Sequence, residues 1–444
     1  MKSTASYKCK LVNVSKSLDE TINIFRAALS FIVDAIDSEW SDISLLSSSK
    51  SRLNFVEKLI HKTKHNPSPK YDFDSSFYKL PSYLRREATS AAIGIVMSYR
   101  SNLANYNKEK YESISNGKKF KKKAPRLNSK HFKNPVFYKS NMFNKFSRNE
   151  MLIKVYAKND WVWISVFLRE QDVRYIEKNC QAFTESAPTL VKSGRKYYLQ
   201  FSYESSVSLN KAKLNDQIIV AVDLGINTSA VCSAIKPDGT VIDRAFINQS
   251  IEKDRQNHLL NRTKLKKSQT GSFKMPRVWN RINNLNTHIV NDTVSRIIKF
   301  AVKNNATTIV FEYLEFKGKR PKTIALKFNM WAKRLIQEKT MAKAHSLGIR
   351  YKRVNPSNTS ALAFDGSGKV SRDEHNASLC TFTSGKQYNT DLNASYNIGA
   401  RHYINEINKA VSAKKWSLAL AKVPELGRRT QCTLSTLISI SQVI

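Results

Sequence analysis

The chain has 444 residues, of which 74 are lysine or arginine and 35 are aspartate or glutamate, so its formal net charge is +39. Hydrophobic residues make up 41% of the sequence, which excludes a wholly disordered chain, and the length suggests about two to four domains. The charge excludes a metabolic enzyme for small neutral substrates. It indicates a polyanionic partner, of which nucleic acid is the usual one.

The N-terminal half shows strand and helix patterns in turn. A strand is predicted over residues 5–13, and from Leu18 apolar residues recur at three- and four-residue steps, which is typical of an amphipathic helix. A second helix is predicted over residues 83–106. Alternating apolar residues then predict strands between residues 150 and 206, with a hairpin that turns at Ser193-Gly194. We expect a small β-barrel interrupted by a helical insertion.

Two sets of residues in this half are candidates for contact with nucleic acid. The first is a basic run within residues 107–134, which either contacts phosphates or is a disordered linker. It contains Lys118, Lys119, Lys121, Lys122 and Lys123. The second is a set of strand aromatics that either stack on bases or belong to the core. These are Trp161, Trp163, Tyr197 and Tyr198.

From residue 217 the pattern becomes that of an α/β layer. The segments QIIVAVDLG, TSAVCSAI and TVIDRAFI predict three consecutive strands of an antiparallel meander, with PDGT as the turn between the last two. A basic segment over residues 254–281 and an amphipathic helix from Ile282 lead into the strand of NNATTIVFEYLEF. A helix over residues 329–347 and the strand GIRYKRV follow.

Three acidic residues occupy unusual places in this layer. Asp223 interrupts an apolar strand, Glu312 ends the run TIVFE, and Asp391 begins a predicted helix. Taken alone, each residue is equally well explained as an acid at a strand end or at a helix cap. For Asp391, the helix dipole favours an acid at the start of the helix. Together, carboxylates beside apolar strands need a cation, and two Mg²⁺ ions about 4 Å apart suit such oxygen ligands. The reaction that this set indicates is phosphodiester hydrolysis.

The segments that carry these acids resemble a known family. AVDLGINTSAV, IVFEYLEF and NTDLNASYNIGAR resemble the three split RuvC motifs of the transposon-encoded TnpB nucleases, which the compact type V CRISPR effectors share. The resemblance covers about residues 185–400 and carries catalytic and metal-binding roles onto Asp223, Glu312 and Asp391. The order Asp–Glu–Asp distinguishes the chain from related DNA transposases, which usually place the glutamate last.

The resemblance implies a multidomain α+β fold with a RuvC nuclease domain of RNase H fold, in which helices flank a mixed sheet. Residues 1–16 and 131–212 would form a β-barrel wedge domain, interrupted by a helical recognition domain with a basic linker at 17–130. RuvC motifs I and II would occupy 213–355 and motif III 387–415. A target-nucleic-acid insert at 356–386 and a C-terminal tail at 416–444 complete the chain.

The insert departs from the family pattern. Relatives usually carry two CxxC pairs there, whereas this chain has only Cys380, with Thr383 where a partner is expected. His375 does not complete four ligands by itself. We therefore expect no structural zinc, and an insert that is a metal-free loop or small hairpin.

The function that the resemblance implies is RNA-guided cleavage of DNA. The partners would be a guide RNA and a target double-stranded DNA with a short flanking motif, and the cofactors would be two Mg²⁺ ions, for which Mn²⁺ may substitute. A basic stretch after Glu312 would hold a strand near the metals, or else be a solvated loop. It contains Lys317, Lys319, Arg320, Lys322 and Lys327. Two alternatives stay open: a guide-directed DNA-binding protein that cuts poorly or not at all, and a guide-independent nuclease or transposase.

The cellular compartment follows from simple features. The five cysteines are scattered, which fits a reducing compartment, and no segment has the length of a signal peptide core or of a membrane-spanning helix. We expect a cytoplasmic, intracellular protein that associates with the nucleoid when it is bound to DNA.

The zinc expectation is directly measurable. Elemental analysis of the purified protein should find far less than one zinc per chain, because only one cysteine remains of the two pairs. About one tightly held zinc per chain would contradict this prediction.

Overall fold

The computed structural model describes residues 1–117, 119–128, 134–180, 183–225, 228–271, 275–314, 324–373, 376 and 378–443, and for 324–331 it describes only the backbone helix. The chain divides into two compact units, which are described separately. One unit is Thr4–Ser205, and the other is Met1–Ser3 with Ser206–Ile444. The domain boundaries given above remain predictions.

The first unit combines two small sheets with a helical layer. Its helices are α1 (Lys16–Ser38), α2 (Trp40–Ser44), α3 (Ser49–Ile60), α4 (Phe73–Ser76), α5 (Ser82–Ser115) and α6 (Glu170–Cys180). Its strands are β1 (Lys2–Lys10), β2 (Phe143–Lys145), β3 (Glu150–Ala157), β4 (Asp160–Phe167), β5 (Thr184–Glu185), β6 (Thr189–Ser193) and β7 (Lys196–Ser206). One sheet has the order β1-β7-β5 with β6 also paired to β7, and the other has the order β2-β3-β4.

Several predicted elements of this unit appear in its structure, but α6 lies within residues 150–206, where the sequence predicts strands. Ser15 caps α1 by accepting from the backbone N–H of Ser17, and the apolar face of α1 is buried. The β6–β7 hairpin turns where predicted, with Gly194 at φ +59°. Isolated bridges join Leu11 to Leu168 and Val136 to Thr189, which links the two sheets into a barrel-like arrangement.

The predicted base-stacking aromatics separate into two groups. Trp161 is 8% exposed and Tyr197 is 4% exposed, so both belong to the core. Trp163 is 41% exposed and remains a candidate for contact with nucleic acid, as does the partly buried Tyr198.

The second unit is built around one mixed sheet. Its strands are β8 (Ile219–Asp223), β9 (Ala230–Ile235), β10 (Val241–Ile247), β11 (Thr308–Glu312), β12 (Arg350–Val354), β13 (Ser371–Arg372), β14 (Leu379–Thr381) and β15 (Gln387–Asn389). Its helices are α7 (Ser250–Thr270), α8 (Pro276–Lys303), α9 (Ile324–Ser346), α10 (Thr390–Ala410), α11 (Ala413–Lys422) and α12 (Leu434–Ser441).

The strand order of the central sheet defines the fold. The order is β10-β9-β8-β11-β12, in which β8, β9 and β10 form an antiparallel meander while β11 and β12 run parallel to β8. Helices cover both faces, since one buried cluster joins the sheet to α10 and another joins it to α8 and α9. This is the RNase H arrangement, and the predicted multidomain α+β fold class is confirmed.

Helix α10 lies unusually close to the sheet. A Cβ on Gly399 would collide with Cδ1 of Ile235 and would lie 3.3 Å from Cβ of Ala221, so a larger residue would have to displace the Ile235 side chain. The buried hydroxyl of Tyr403 donates towards the main-chain oxygens of Gln217 (2.8 Å) and Ile235 (2.9 Å). These contacts fix the position of α10 over β8 and β9.

The insert is a small sheet with its own apolar centre. Strands β13, β14 and β15 pair antiparallel, so the predicted hairpin gains a third strand from residues assigned to motif III. The Phe364 ring lies 5.5 Å from Phe382, 5.0 Å from Tyr388 and 5.2 Å from Tyr396, measured between ring centroids. Cys380 is buried beside this aromatic cluster.

The C-terminal tail is an integral part of the second unit. The sequence predicts only a tail at 416–444, but this segment contains most of α11 and all of α12. Leu437 and Ile440 are fully buried in the cluster that also contains residues of α10.

None of the described helices combines the length and the apolar character that a membrane-spanning segment needs.

The close approach of α10 predicts a stability difference between two glycine substitutions. Gly399→Val should destabilise the protein by about 1–3 kcal/mol, because the added methyl groups overpack the helix against the sheet. The matched control is Gly94→Val in α5, where an added Cβ meets nothing within 4 Å. Urea unfolding measures both, and equal stability of the two variants would contradict the packing described here.

Candidate active site

Asp223 and Glu312 meet because of strand alternation and register. The side chains of Ile219 and Ala221 face α10, and so does that of Val310, so Asp223 and Glu312 continue the same face. Strands β8 and β11 are adjacent and parallel, with Val222 paired to Phe311. Each acid is therefore the next residue at the carboxyl end of its strand, and the two lie side by side.

Asp391 reaches this edge from the first turn of α10. Asn389 caps the helix by accepting from the backbone N–H of Leu392 at 2.9 Å, and an acid in the first turn is favoured by the helix dipole. A Cβ on Gly225 would lie 3.0 Å from Oδ2 of Asp391, so glycine after β8 lets this carboxylate approach. The structure thus brings all three predicted carboxylates to one edge of the sheet.

The electrostatics of Asp223 show how closely the acids interact. Removal from water, followed by repulsion from Glu312 and Asp391, raises the pKa of Asp223 from 3.8 to about 8. Burial also raises the pKa of Glu312, and the hydrogen bond from Thr359 opposes this rise. The pKa of Asp391 is likewise raised by burial, and nearby cations oppose the shift. Burial and repulsion thus act together against ionisation at this edge.

The carboxylates are suited to binding a divalent cation. In the described ranges, no three histidine, cysteine or acidic side chains have the spacing of a ready-made metal site. Nevertheless both other acids repel the charge of Asp223, and a bound cation would relieve this repulsion, which adds to the effect of burial on the pKa of Asp223. Hard carboxylate oxygens are the ligands that Mg²⁺ prefers. The donor set therefore fits the magnesium that the sequence predicts.

Two lysines near the acids were not singled out by sequence reasoning. Lys333 in α9 is close enough to oppose the pKa shifts of Asp223, Glu312 and Asp391. Burial, followed by repulsion from Lys333, lowers the pKa of Lys253 in α7 to about 8, and Asp391 opposes this shift. Both lysines belong to lysine-rich helices, so no sequence signal distinguishes them from surface charge.

The polar residues of motif III were also missed as a group. Asn393, Asn397 and Arg401 recur every four residues along α10 and are buried. All three bind the backbone of the segment that follows β12. Their four-residue period is a helical signal that sequence reasoning did not use.

The predicted nucleic-acid-binding residues are only partly described. Lys119, Lys121, Lys122 and Lys123 are exposed, and Lys122 pairs with Glu109. Lys327 lies in the backbone helix α9. The remaining predicted residues lie outside the described part of the chain, namely Lys118, Lys317, Lys319, Arg320 and Lys322. Their contacts with nucleic acid remain predictions.

The fold and the site together define an RNase H-fold protein with an acidic centre at the carboxyl ends of its parallel strands. Two family models match the chain. Residues 200–316, which include Asp223 and Glu312, match the OrfB_IS605 family, described as a probable transposase. Residues 3–157 match the Aq_aa04 family.

Two curated proteins of Aquifex aeolicus (strain VF5) are similar to this chain. The TnpB-like protein aq_aa05 is 25% identical over 246 residues, which are 50% of this chain and 80% of the relative. The uncharacterized protein aq_aa04 is 32% identical over 103 residues, which are 21% of this chain and 58% of the relative. With the transposase match, these similarities support the resemblance to the TnpB family that the sequence motifs indicate.

Solved structures with related folds include two CRISPR effectors. The mini-RNA-guided endonuclease CRISPR-Cas_phi3 is 12% identical with a TM-score of 0.49, covering 89% of this chain and 92% of that one. Cas12f1 in the Cas12f1-sgRNA-target DNA complex is 13% identical with a TM-score of 0.44, covering 89% of this chain and 98% of that one.

The raised pKa of Asp223 predicts that the free energy of unfolding of the metal-free protein falls as the pH rises. The folded state holds a proton between the unfolded pKa of 3.8 and the folded pKa of about 8, so the stabilising effect of that proton is lost as the pH rises through this window. In EDTA at pH about 8.5, Asp223→Asn should melt at least about 3 °C above wild type, because asparagine carries no charge. Near pH 4 the difference should disappear.

The control for this measurement is Asp254→Asn, since Asp254 is exposed on α7. It should melt as wild type does at both pH values. An Asp223→Asn variant that melts at or below the wild-type temperature at high pH would show that the carboxylates do not repel one another.

Proposed function

We propose that the protein is an RNA-guided endonuclease that hydrolyses target DNA at the centre formed by Asp223, Glu312 and Asp391. The observation that carries this proposal is the convergence of three carboxylates at one sheet edge of a chain with a net charge of +39. A basic protein attracts polyanions, whereas an acidic centre repels phosphate unless cations are bound there. The pairing of these two features is typical of metal-dependent phosphodiester hydrolysis.

The three carboxylates would hold Mg²⁺, or Mn²⁺ in its place. When bound, two such ions supply the Lewis acidity that activates water and stabilises the leaving 3′ oxygen. Asp223 and Glu312 are fixed by adjacent parallel strands, so their spacing is set by the sheet. Asp391 is fixed by a capped helix that packs on the same sheet. A rigid donor set of this kind is what catalysis by positioned ions requires.

Lys253 and Lys333 would assist the approach of the DNA backbone. Both lie near the acids. The charge of Asp391 acts on the pKa of Lys253, and both lysines act to lower the pKa of Asp391. A cation beside the carboxylates reduces the repulsion that a scissile phosphate would meet. Lys253 is half-buried, with its pKa lowered to about 8, so its charge is weaker at high pH.

The guide RNA and the target DNA are the partners that the resemblance to TnpB and type V effectors favours. Guide–target pairing would supply sequence specificity, and the protein would contact mainly backbone phosphates and a short flanking motif. The exposed lysines between residues 119 and 123 suit phosphate contact. A guide-directed protein that binds without cutting is the alternative that the altered insert favours, because Thr383 stands where a cysteine is expected.

Cleavage by the purified ribonucleoprotein tests this proposal. Wild type with its guide RNA and Mg²⁺ should cut matched DNA, and Asp223→Ala, Glu312→Ala or Asp391→Ala should each lose more than about 100-fold in rate. Loss of a metal ligand is expected to exceed the effect of changing an outer partner. The matched control is Asp254→Ala, which removes an exposed acid of α7 and should leave the rate unchanged.

Three outcomes decide between the alternatives. Target binding by wild type without cleavage would support the guide-directed binding protein. Full activity of RNA-free protein would support a guide-independent nuclease. Cleavage that survives all three alanine variants would place the active centre elsewhere.

A further inference from the structure

The carboxylate of Glu312 receives a hydroxyl from a distant part of the chain. The Oγ1 of Thr359 donates to Oε1 of Glu312, across 47 residues of sequence, and shares its one hydrogen with the carbonyl oxygen of Pro356 at 2.9 Å. Thr359 is 2% exposed, so water does not compete for this hydroxyl. The main chain of Glu312 is held separately, because Nε2 of Gln337 donates to its carbonyl oxygen at 2.9 Å. Both the backbone and the side chain of this acid are therefore fixed.

The segment that carries Thr359 is clamped by α10. Asn397 Nδ2 donates to the carbonyl oxygen of Thr359 at 3.0 Å and to that of Leu362 at 2.9 Å. Arg401 Nη1 donates to the carbonyl oxygens of Asn355 (3.0 Å) and Ser357 (2.5 Å). The helix that supplies Asp391 therefore also sets the position of the hydroxyl at Glu312.

Arg401 connects this clamp to the C-terminal segment. Its Nε donates to the carbonyl oxygen of Cys432 at 3.1 Å, and its Nη2 donates to that of Thr430 at 2.8 Å. Arg401 is 3% exposed, and the hydrogen bonds of its guanidinium go to carbonyl groups. A lysine at this position would lack the planar fork that spans these carbonyls.

The hydroxyl acts on the orientation of the Glu312 carboxylate. Because an ionised carboxylate has about four lone-pair sites, one hydrogen bond fixes its orientation and leaves sites for a cation. Groups that hold metal ligands in this way affect metal affinity strongly.

We propose that Thr359 is a positioning residue that fixes the Glu312 carboxylate for divalent-cation binding, an inference that rests on the proposed function. Thr359 does not touch the substrate or the cation and acts only through Glu312. The clamp of Asn397 and Arg401 keeps the hydroxyl in place. The insert and the C-terminal segment are thereby joined to one metal ligand by a continuous set of hydrogen bonds.

Mn²⁺ binding to the full chain without guide or DNA tests this role. The signal of free Mn²⁺ in electron paramagnetic resonance gives the bound fraction, and the Asp223→Ala variant gives the background from other sites. Thr359→Val keeps the shape of the side chain but removes the hydroxyl, and it should weaken site binding about 10-fold. Thr359→Ser restores the donor and should bind as wild type does.

The control for a general packing effect is Thr308→Val on β11. Thr308 is fully buried in the same strand as Glu312, and its hydroxyl has no hydrogen-bond partner among the described residues. This variant should bind Mn²⁺ as wild type does. If Thr359→Val fails to fold, as judged by its melting curve, Thr359→Ala removes the same hydroxyl with less bulk and carries the same expectation.

The outcomes separate this inference from the proposed function. Wild type and Thr359→Val that bind Mn²⁺ equally would overturn the role of Thr359 and leave the nuclease centre intact. Wild-type protein with no Mn²⁺ binding above the Asp223→Ala background would overturn both. Weaker binding by Thr359→Val with rescue by serine and no effect at Thr308 supports the positioning role.

Discussion

Repulsion among three partly buried carboxylates is the constraint on which the second unit depends. Asp223 and Glu312 end adjacent parallel strands, and Asp391 lies in the first turn of the helix that packs on them. Burial, followed by repulsion from Glu312 and Asp391, raises the pKa of Asp223 and so favours its protonated form. The fold holds them there by means that do not involve the acids themselves, chiefly the buried sheet and the packing of α10 against it. Burying three acids together in this way costs stability.

Several features of the second unit serve this one arrangement. Gly399 lets α10 lie against the sheet, and Gly225 leaves room for Asp391. Asn397 and Arg401 then use the same helix to position the segment with Thr359. The insert has an aromatic cluster around Phe364 beside Cys380, in the region where relatives usually carry cysteine pairs. Packing of aromatic rings supplies an apolar centre for the small sheet.

The sequence predicts the central sheet well because apolar strands with short turns carry a local signal. The meander, the strand that ends at Glu312 and the helix that begins at Asp391 all appear as expected. Contacts between distant residues have no such signal. Thr359 and Glu312 are 47 residues apart, and Lys253 and Lys333 resemble the many other lysines of their helices. The tail was missed because α12 is only 8 residues long, too short for a clear period.

The central claim is that Asp223, Glu312 and Asp391 form one cation-binding centre. Anomalous scattering from Mn²⁺ in crystals of the full chain tests it most directly, because it locates the ion without reference to activity. The account predicts anomalous density between the carboxylates of Asp223, Glu312 and Asp391. Ordered Mn²⁺ elsewhere in the chain, with no density between these three acids, would contradict it.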